Sequence, residues 1–218
     1  MKRDNRSQEV TFERRFMEAA VDGWANQVPT CAGVLRPQAD ARRAIDLVRR
    51  IDEGHFDFIE LKVVDNEWDN SGKPLFAAME ILDYGVLYAF SRLKAWSLGY
   101  GPARSQILDA HRVGLRVVAP ARFYEFRGRG RRERYELGWL ESMMRDAAGE
   151  LASRIGGGTV MDFRFDVFPD EFSWPQPQHT AIGHAKRMME RCRPLIDRST
   201  DTRRFPAQES GVPHPNPP

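Results

Sequence analysis

Apolar and polar positions recur along this chain with two periods, and the period assigns most elements. From Ser7 to Ala25, Phe12, Phe16, Ala20 and Trp24 fall at helical spacing, with Ser7 placed to cap a first helix. Gln27 to Ala41 reads as a loop marked by Pro29, Gly33 and Pro37, with a short first strand around Cys31 to Leu35. Arg43 to Ile51 and His55 to Val64 read as two strands joined by a tight turn. The second is so dense in Phe56, Phe58, Ile59, Leu61, Val63 and Val64 that both its faces are expected to be buried. After the polar loop Asp65 to Pro74, Leu75 to Ala95 predicts a helix apolar nearly all round, a core element against a sheet.

Gly99 to Pro102 breaks the pattern. Ile107 to Phe126 then predicts strands, with Pro120 arguing for an edge or bulged position. Tyr135 to Ile155 is an amphipathic helix closed by three glycines, and Thr159 to Phe168 alternates like a last strand. Past Pro169 the composition shifts to a Pro-rich linker, a short helix over Thr180 to Leu195 and a tail ending SGVPHPNPP that is expected to be disordered. The expected division is 1–172 for the main domain, 173–198 for a helical extension and 199–218 for the tail.

The charged residues inside these apolar elements carry the candidate chemistry. Strand alternation puts Glu60 and Lys62 on one side of the second strand and Ile59, Leu61 and Val63 on the other. If Asp52-Glu53-Gly54 forms a three-residue loop, Ile51 faces His55 and Asp46 falls opposite Glu60, so the three charges share a face. A two-residue Glu53-Gly54 loop instead sends Asp46 to the opposite face. The three-residue loop is the expectation. Of 33 basic residues only five are lysine, so a Lys in a strand interior points to a need for a compact, tunable amine where Arg is the usual buried ion-pair partner. A structural ion pair remains the plain alternative.

On a helical wheel of about 100° per residue, Glu13 falls inside the apolar arc of the first helix. Its head either reaches water past a packed stem or enters a site. The helix over Leu75 to Ala95 keeps a narrow polar stripe of Glu80, Tyr84 and Tyr88 at spacing four, with Ser91 beside it. Such a stripe either satisfies itself by hydrogen bonds or faces a site. Arg127, Arg129, Arg131, Arg132 and Arg134 crowd two glycines and are flanked by Phe123, Tyr124, Phe126 and Tyr135. That arrangement suits a loop gripping phosphates with stacking aromatics, as well as an ordinary solvated charge run.

The net charge of +2 means that any nucleic-acid affinity comes from local clustering. Cys31 and Cys192, distant and without CxxC spacing, suggest neither a disulfide framework nor a structural zinc site. His179, His184 and Cys192 do not share a helical face and are not read as metal ligands. No apolar run approaches membrane-spanning length, and no signal-peptide core follows the charged MKRDNRSQE, so a cytoplasmic protein without membrane contact is expected.

An Asp near the start of one strand, a hairpin, and Glu-x-Lys in the next strand resemble the core signature of the PD-(D/E)XK nuclease superfamily. Asp46 stands for its D, and Glu60 and Lys62 for its ExK; Ile45 replaces the Pro. The order helix, three strands, helix, strand, helix, strand over roughly Ser7 to Phe172 is that of the resembled fold. The resemblance implies an α/β protein with a restriction-endonuclease-like core, a mixed central β-sheet flanked by helices. It further implies a nuclease, most simply on DNA, in which Asp46, Glu60, Glu13 and the carbonyl of Leu61 hold Mg²⁺ (or Mn²⁺). Lys62 sits beside the attacking water, and Glu80 and Tyr84 orient water or phosphate. A homodimer or a partner subunit is compatible with it. Two other readings stand: a non-catalytic nucleic-acid-binding module on this scaffold, and an assembly subunit in which the three charges are a structural cluster. Fold-level likeness does not choose among them.

Overall fold

A computed structural model describes residues 8–19, 22–30, 44–62, 73–99, 106–127, 131–172 and 182–196. The strand expected at Cys31 to Leu35, most of the loop over Asp65 to Pro74, Arg129, His179 and the tail lie outside the described residues.

Helix α1 (Gln8–Ala19) leads into β1 (Trp24–Pro29), followed by β2 (Ala44–Asp52) and β3 (His55–Leu61). Helix α2 (Pro74–Leu93) connects to β4 (Arg112–Ala119). A small hairpin of β5 (Glu125–Arg127) and β6 (Arg132–Arg134) precedes helix α3 (Gly138–Ile155). Strand β7 (Val160–Val167), helix α4 (Ile182–Glu190) and the two-residue β8 (Arg193–Pro194) complete the described chain. The six-stranded sheet has the order β1-β2-β3-β4-β7-β8. β1, β2 and β3 are antiparallel, β3, β4 and β7 are parallel, and β8 returns antiparallel to β7. The protein is therefore α/β with a mixed central sheet flanked by helices.

Both faces of the sheet are covered, which is why β3 and β4 read as nearly continuous apolar runs. On one face Phe56, Phe58, Leu115, Val117 and Phe163 pack against Ala77, Ile81, Leu140 and Met144 of α2 and α3. On the other, Leu47, Ile59, Leu61 and Val118 pack against Phe12 and Phe16 of α1 and Met188 and Met189 of α4. The C-terminal helix thus shares a cluster with the first. Among the described residues no helix is long and apolar enough to cross a membrane.

Four local expectations are corrected. The first helix ends at Ala19, and Trp24 belongs to a strand; its ring still meets Phe16 edge-on at 4.6 Å, the contact that helical spacing suggested. The stretch beginning at Gln27 is not all loop, since β1 runs to Pro29, where a missing N–H is tolerated at the end of an edge strand. Pro120 marks no edge or bulge: it follows the last residue of β4, a central strand, and opens a 3-10 turn over Ala121–Tyr124. Helix α2 is not buried all round, because Phe76, Met79, Val86 and Leu93 face outward.

The β2–β3 connection combines the two loops weighed above. Asp52 pairs with His55, so the turn itself is the two-residue Glu53-Gly54, with Gly54 at φ +84°, where a side chain would be strained. A register shift between Arg50 and Asp52 adds one residue to β2 and restores Leu47 opposite Ile59. One step on, Asp46 falls opposite Glu60. The bulge, not a longer loop, gathers the charges on one face.

Candidate active site

Asp46, Glu60 and Lys62 meet where β2 begins and β3 ends. The Lys62 ammonium lies 2.6 Å from Glu60 Oε1 and 2.8 Å from Glu80 Oε2, the latter reaching over from the second turn of α2. Asp46 Oδ2 accepts the Leu61 N–H at 2.9 Å, while the Leu61 side chain points into the opposite face against α1. Lys62 is fixed further by its own N–H, which donates to the Val118 carbonyl and ties the end of β3 to β4. Tyr84 is buried one turn below Glu80 on α2, within the field of Glu60 and Glu80. The polar stripe of α2 divides there. Tyr88 instead packs edge-on against Phe58 and accepts a hydrogen bond from Arg92, which also bonds the Ala110 carbonyl.

Glu13 does not send its head to water. It is 1% exposed, and its Oε2 accepts a hydrogen bond of 2.7 Å from Gln27 Nε2. Gln27 was not singled out from sequence, because its segment reads as a loop. It sits between Asn26 and Val28, whose partners Leu47 and Ile45 flank Asp46, and it is the one non-glycine described residue with positive φ, at 49°. Backbone held in a sparsely populated region is a feature of functional positions. A polar residue in that place is a signal only after the strand is known.

The cluster carries more acid than base: Glu13, Asp46, Glu60 and Glu80 against Lys62. Its electrostatics follow from that imbalance and from burial. Burial pushes Glu13 up to about 8, helped by the charge of Asp46. Burial pushes Asp46 up to about 6, opposed by the Leu61 N–H and by Lys62. Glu60 is raised by burial and by Asp46, against the pull of Lys62. Burial draws the Lys62 ammonium down, but the charge of Glu60 and the hydrogen bonds to Glu60 and Glu80 outweigh it, and its pKa rises. Lys62 is therefore held as a cation. Burial and the charges of Glu60 and Glu80 raise Tyr84, keeping its hydroxyl protonated as a donor.

Two carboxylate oxygens, Glu13 Oε1 and Glu60 Oε2, are buried without a hydrogen-bond partner. Orphaned acceptors of this kind are costly unless a cation or proton satisfies them. Hard oxygen donors from Asp46, Glu60 and Glu13 are the set that Mg²⁺ or Mn²⁺ takes, so by donor chemistry these residues fit a divalent ion. Among the described residues, however, no group of three or more Asp, Glu, His or Cys side chains has the arrangement of a formed metal site. Lys62 is the cation that the carboxylates face.

Of the five arginines, Arg132 and Arg134 are exposed on β6, Arg131 pairs with Glu133, and Arg127 ends β5. Phe126 and Tyr135 pack against each other across the hairpin base, with ring centroids 4.9 Å apart. Because β3 and β4 are parallel, Lys62 and this hairpin both leave the sheet at its carboxyl end, the end at which open α/β sheets bind ligands. No protein-family model, no curated protein and no solved structure matches the chain.

Proposed function

We propose that the protein is a divalent-metal-dependent nuclease that hydrolyses phosphodiester bonds, with DNA as the substrate of first choice. The observation that carries this reading is the acid-rich cluster at the carboxyl end of β3. Asp46, Glu60 and Lys62 share one face, and buried oxygens of Glu60 and Glu13 have no partner. The order of helix, three strands, helix, strand, helix and strand supports a restriction-endonuclease-like core. So does the hairpin between Arg127 and Arg134 at the same end of the sheet.

In this reading Asp46, Glu60, Glu13 and the Leu61 carbonyl hold the ion, which supplies Lewis-acid activation of water and of the scissile phosphate. The chain's own residues do the rest. The Leu61 N–H fixes the Asp46 carboxylate. Gln27 fixes one oxygen of Glu13 and leaves the other free to bind. Lys62, kept charged by Glu60 and Glu80, offers N–H donors to the attacking water and to charge building on the phosphate. Glu80 aligns that ammonium from α2, and the Tyr84 hydroxyl, kept protonated by burial, lies within the field of the same carboxylates.

One observation favours the structural reading: the Lys62 ammonium is paired with two carboxylates of the chain itself, as in a simple ion-pair cluster. Cleavage of supercoiled and linear DNA with and without Mg²⁺ or Mn²⁺ separates the two. Metal-dependent cutting by the parent that is lost in Lys62→Ala is expected. Cutting that survives in Lys62→Ala and Asp46→Ala alike would remove the cluster from the reaction.

A further inference from the structure

Glu60 offers one oxygen to a cation of the chain and keeps the other bare. The Lys62 ammonium lies 2.6 Å from Glu60 Oε1 and 2.8 Å from Glu80 Oε2, and its charge also reaches Asp46. Glu60 Oε2, on the same carboxylate, is buried without a hydrogen-bond partner. Three carboxylates around one ammonium leave two negative charges, which is the charge of one divalent ion. Lys62 alone therefore cannot balance the acids that surround it.

Two cations on one buried carboxylate repel each other far more strongly than they would in water. Lys62 must therefore give up Glu60 when a divalent ion is held there, and the structure provides for its release. The main chain of Lys62 is tied by its N–H to the Val118 carbonyl, so only the flexible four-carbon stem has to move. Glu80 stands on a different element, with its side chain 45% exposed against 4% for Glu60, and it already holds the ammonium from the other side. A buried cation stripped of every partner is strongly destabilising; keeping Glu80 avoids that cost. The exchange also reconciles the two parts assigned to Lys62. With both contacts made to carboxylates it is a structural ion pair, and once free of Glu60 it has N–H donors to turn to water or phosphate.

We propose that Lys62 is the resident counter-ion of this site, competing with the divalent ion for Glu60, and that Glu80 retains the ammonium when Glu60 turns to the ion. The proposal rests on the metal-dependent reading above. Binding of Mn²⁺ alone to the full chain, followed by electron paramagnetic resonance without nucleic acid, tests it. Lys62→Met keeps most of the stem and removes the charge, and it is expected to bind Mn²⁺ about tenfold or more tightly than the parent. Lys73→Met removes an exposed cation at the start of α2 and should change the affinity by less than about twofold, because exposed charges are screened. Glu80→Gln, which leaves the ammonium no second carboxylate, should bind several-fold more weakly. Circular dichroism checks that each variant is folded. In the parent, where nothing is substituted, Mg²⁺ should shift the NMR signal of the Lys62 ammonium and leave that of Lys73 in place. Equal Mn²⁺ affinity in the parent and folded Lys62→Met, an equal rise in the two lysine variants, unchanged affinity in Glu80→Gln, or a Lys62 signal unmoved by saturating Mg²⁺ would each overturn the proposal and leave the metal site standing. Mn²⁺ bound by neither the parent nor Lys62→Met would overturn the proposal together with the reading on which it rests.

Discussion

Two clusters of charge are buried in one sheet, and they are built on opposite plans. At the start of β2 and the end of β3, Asp46, Glu60 and Glu80 surround Lys62, and Glu13 lies beside Asp46. On the other face of β3, β4 and β7, along a line from the start of β4 to the carboxyl end of β7, three aspartates meet three arginines. Arg116 lies between Asp57 at 3.1 Å and Asp162 at 2.8 Å, Arg112 approaches Asp162, and Arg164 holds Asp166 with two bonds of 2.6 and 3.0 Å. Gly114 makes room for this second cluster, since a Cβ there would lie 2.0 Å from Asp57 Oδ1. The balanced cluster uses the planar, always-charged guanidinium suited to fixed pairs. The unbalanced one uses the compact amine and gathers more carboxylates than cations among the described residues. Burial of uncompensated like charge is a liability for stability, and its presence in one cluster but not the other marks where function is to be sought.

Mutation should separate the two by readout. In the acid-rich cluster the largest expected effect is on rate. Asp46→Ala, Glu60→Ala or Lys62→Ala should lower metal-dependent cleavage by roughly 10²–10³-fold or more, while retention on DNA at fixed salt changes little. In Asp46→Ala and Glu60→Ala stability should stay within about 1 kcal/mol of the parent, and it should rise in Glu60→Gln, because a carboxylate is removed from an excess; Lys62→Ala removes the cation instead and should destabilise the fold. Arg116→Met should do the reverse. It leaves Asp57 and Asp162 without their shared cation and should cost about 3–5 kcal/mol in denaturant unfolding, with the cleavage rate of the folded fraction unchanged. Equal stability losses in the two clusters would erase the distinction.

Legibility of these clusters in the sequence followed the range of the contacts that make them. Asp46, Glu60 and Lys62 lie on a hairpin, so strand alternation and a local turn were enough to bring them together, although the register is restored by a bulge that no turn signal announces. Glu13 was legible as an apolar-face anomaly. Its partner Gln27 was not, because β1 is a short edge strand ending in Pro29 and its composition is that of a loop. The Arg116 cluster was invisible: Asp57, Arg116 and Asp162 are joined only by parallel pairing across two helical crossovers, which no local pattern encodes. Likewise, a helix apolar nearly all round cannot say which side the protein leaves open, and α2 was expected as a core element against the sheet.

The excess charge also predicts a pH dependence. Glu13 is lifted from its ordinary range to about 8 and Asp46 to about 6, so the native state holds protons that the unfolded chain has already released. Where the folded state binds more protons, stability falls as pH rises. The loss begins near pH 4 to 4.5 and is complete once pH passes about 8. Glu13→Gln carries no such proton, so its stability relative to the parent should rise across that window by on the order of 4–5 kcal/mol. A Tm difference that is flat from pH 5 to 8 would mean that Glu13 is ionised throughout and that its burial is compensated.

The smallest expected effect lies in the hairpin, and it tests whether positive charge complements the acid-rich cluster across the carboxyl end of the sheet. Arg134 is exposed on β6, and replacing it with Ala should weaken DNA binding several-fold, uniformly across sequences, and lower the slope of log K against log salt by about 0.9. Arg131→Ala should have less effect, because Glu133 already offsets much of that charge at 3.2 Å. The slope matters more than the affinity. A smaller slope in Arg134→Ala means that one phosphate contact has gone, which puts the backbone of the nucleic acid beside the end of β3 where Lys62 stands. An unchanged slope with weakened binding would mean that the hairpin reads something other than phosphate. The two ends of the comparison would then serve different partners.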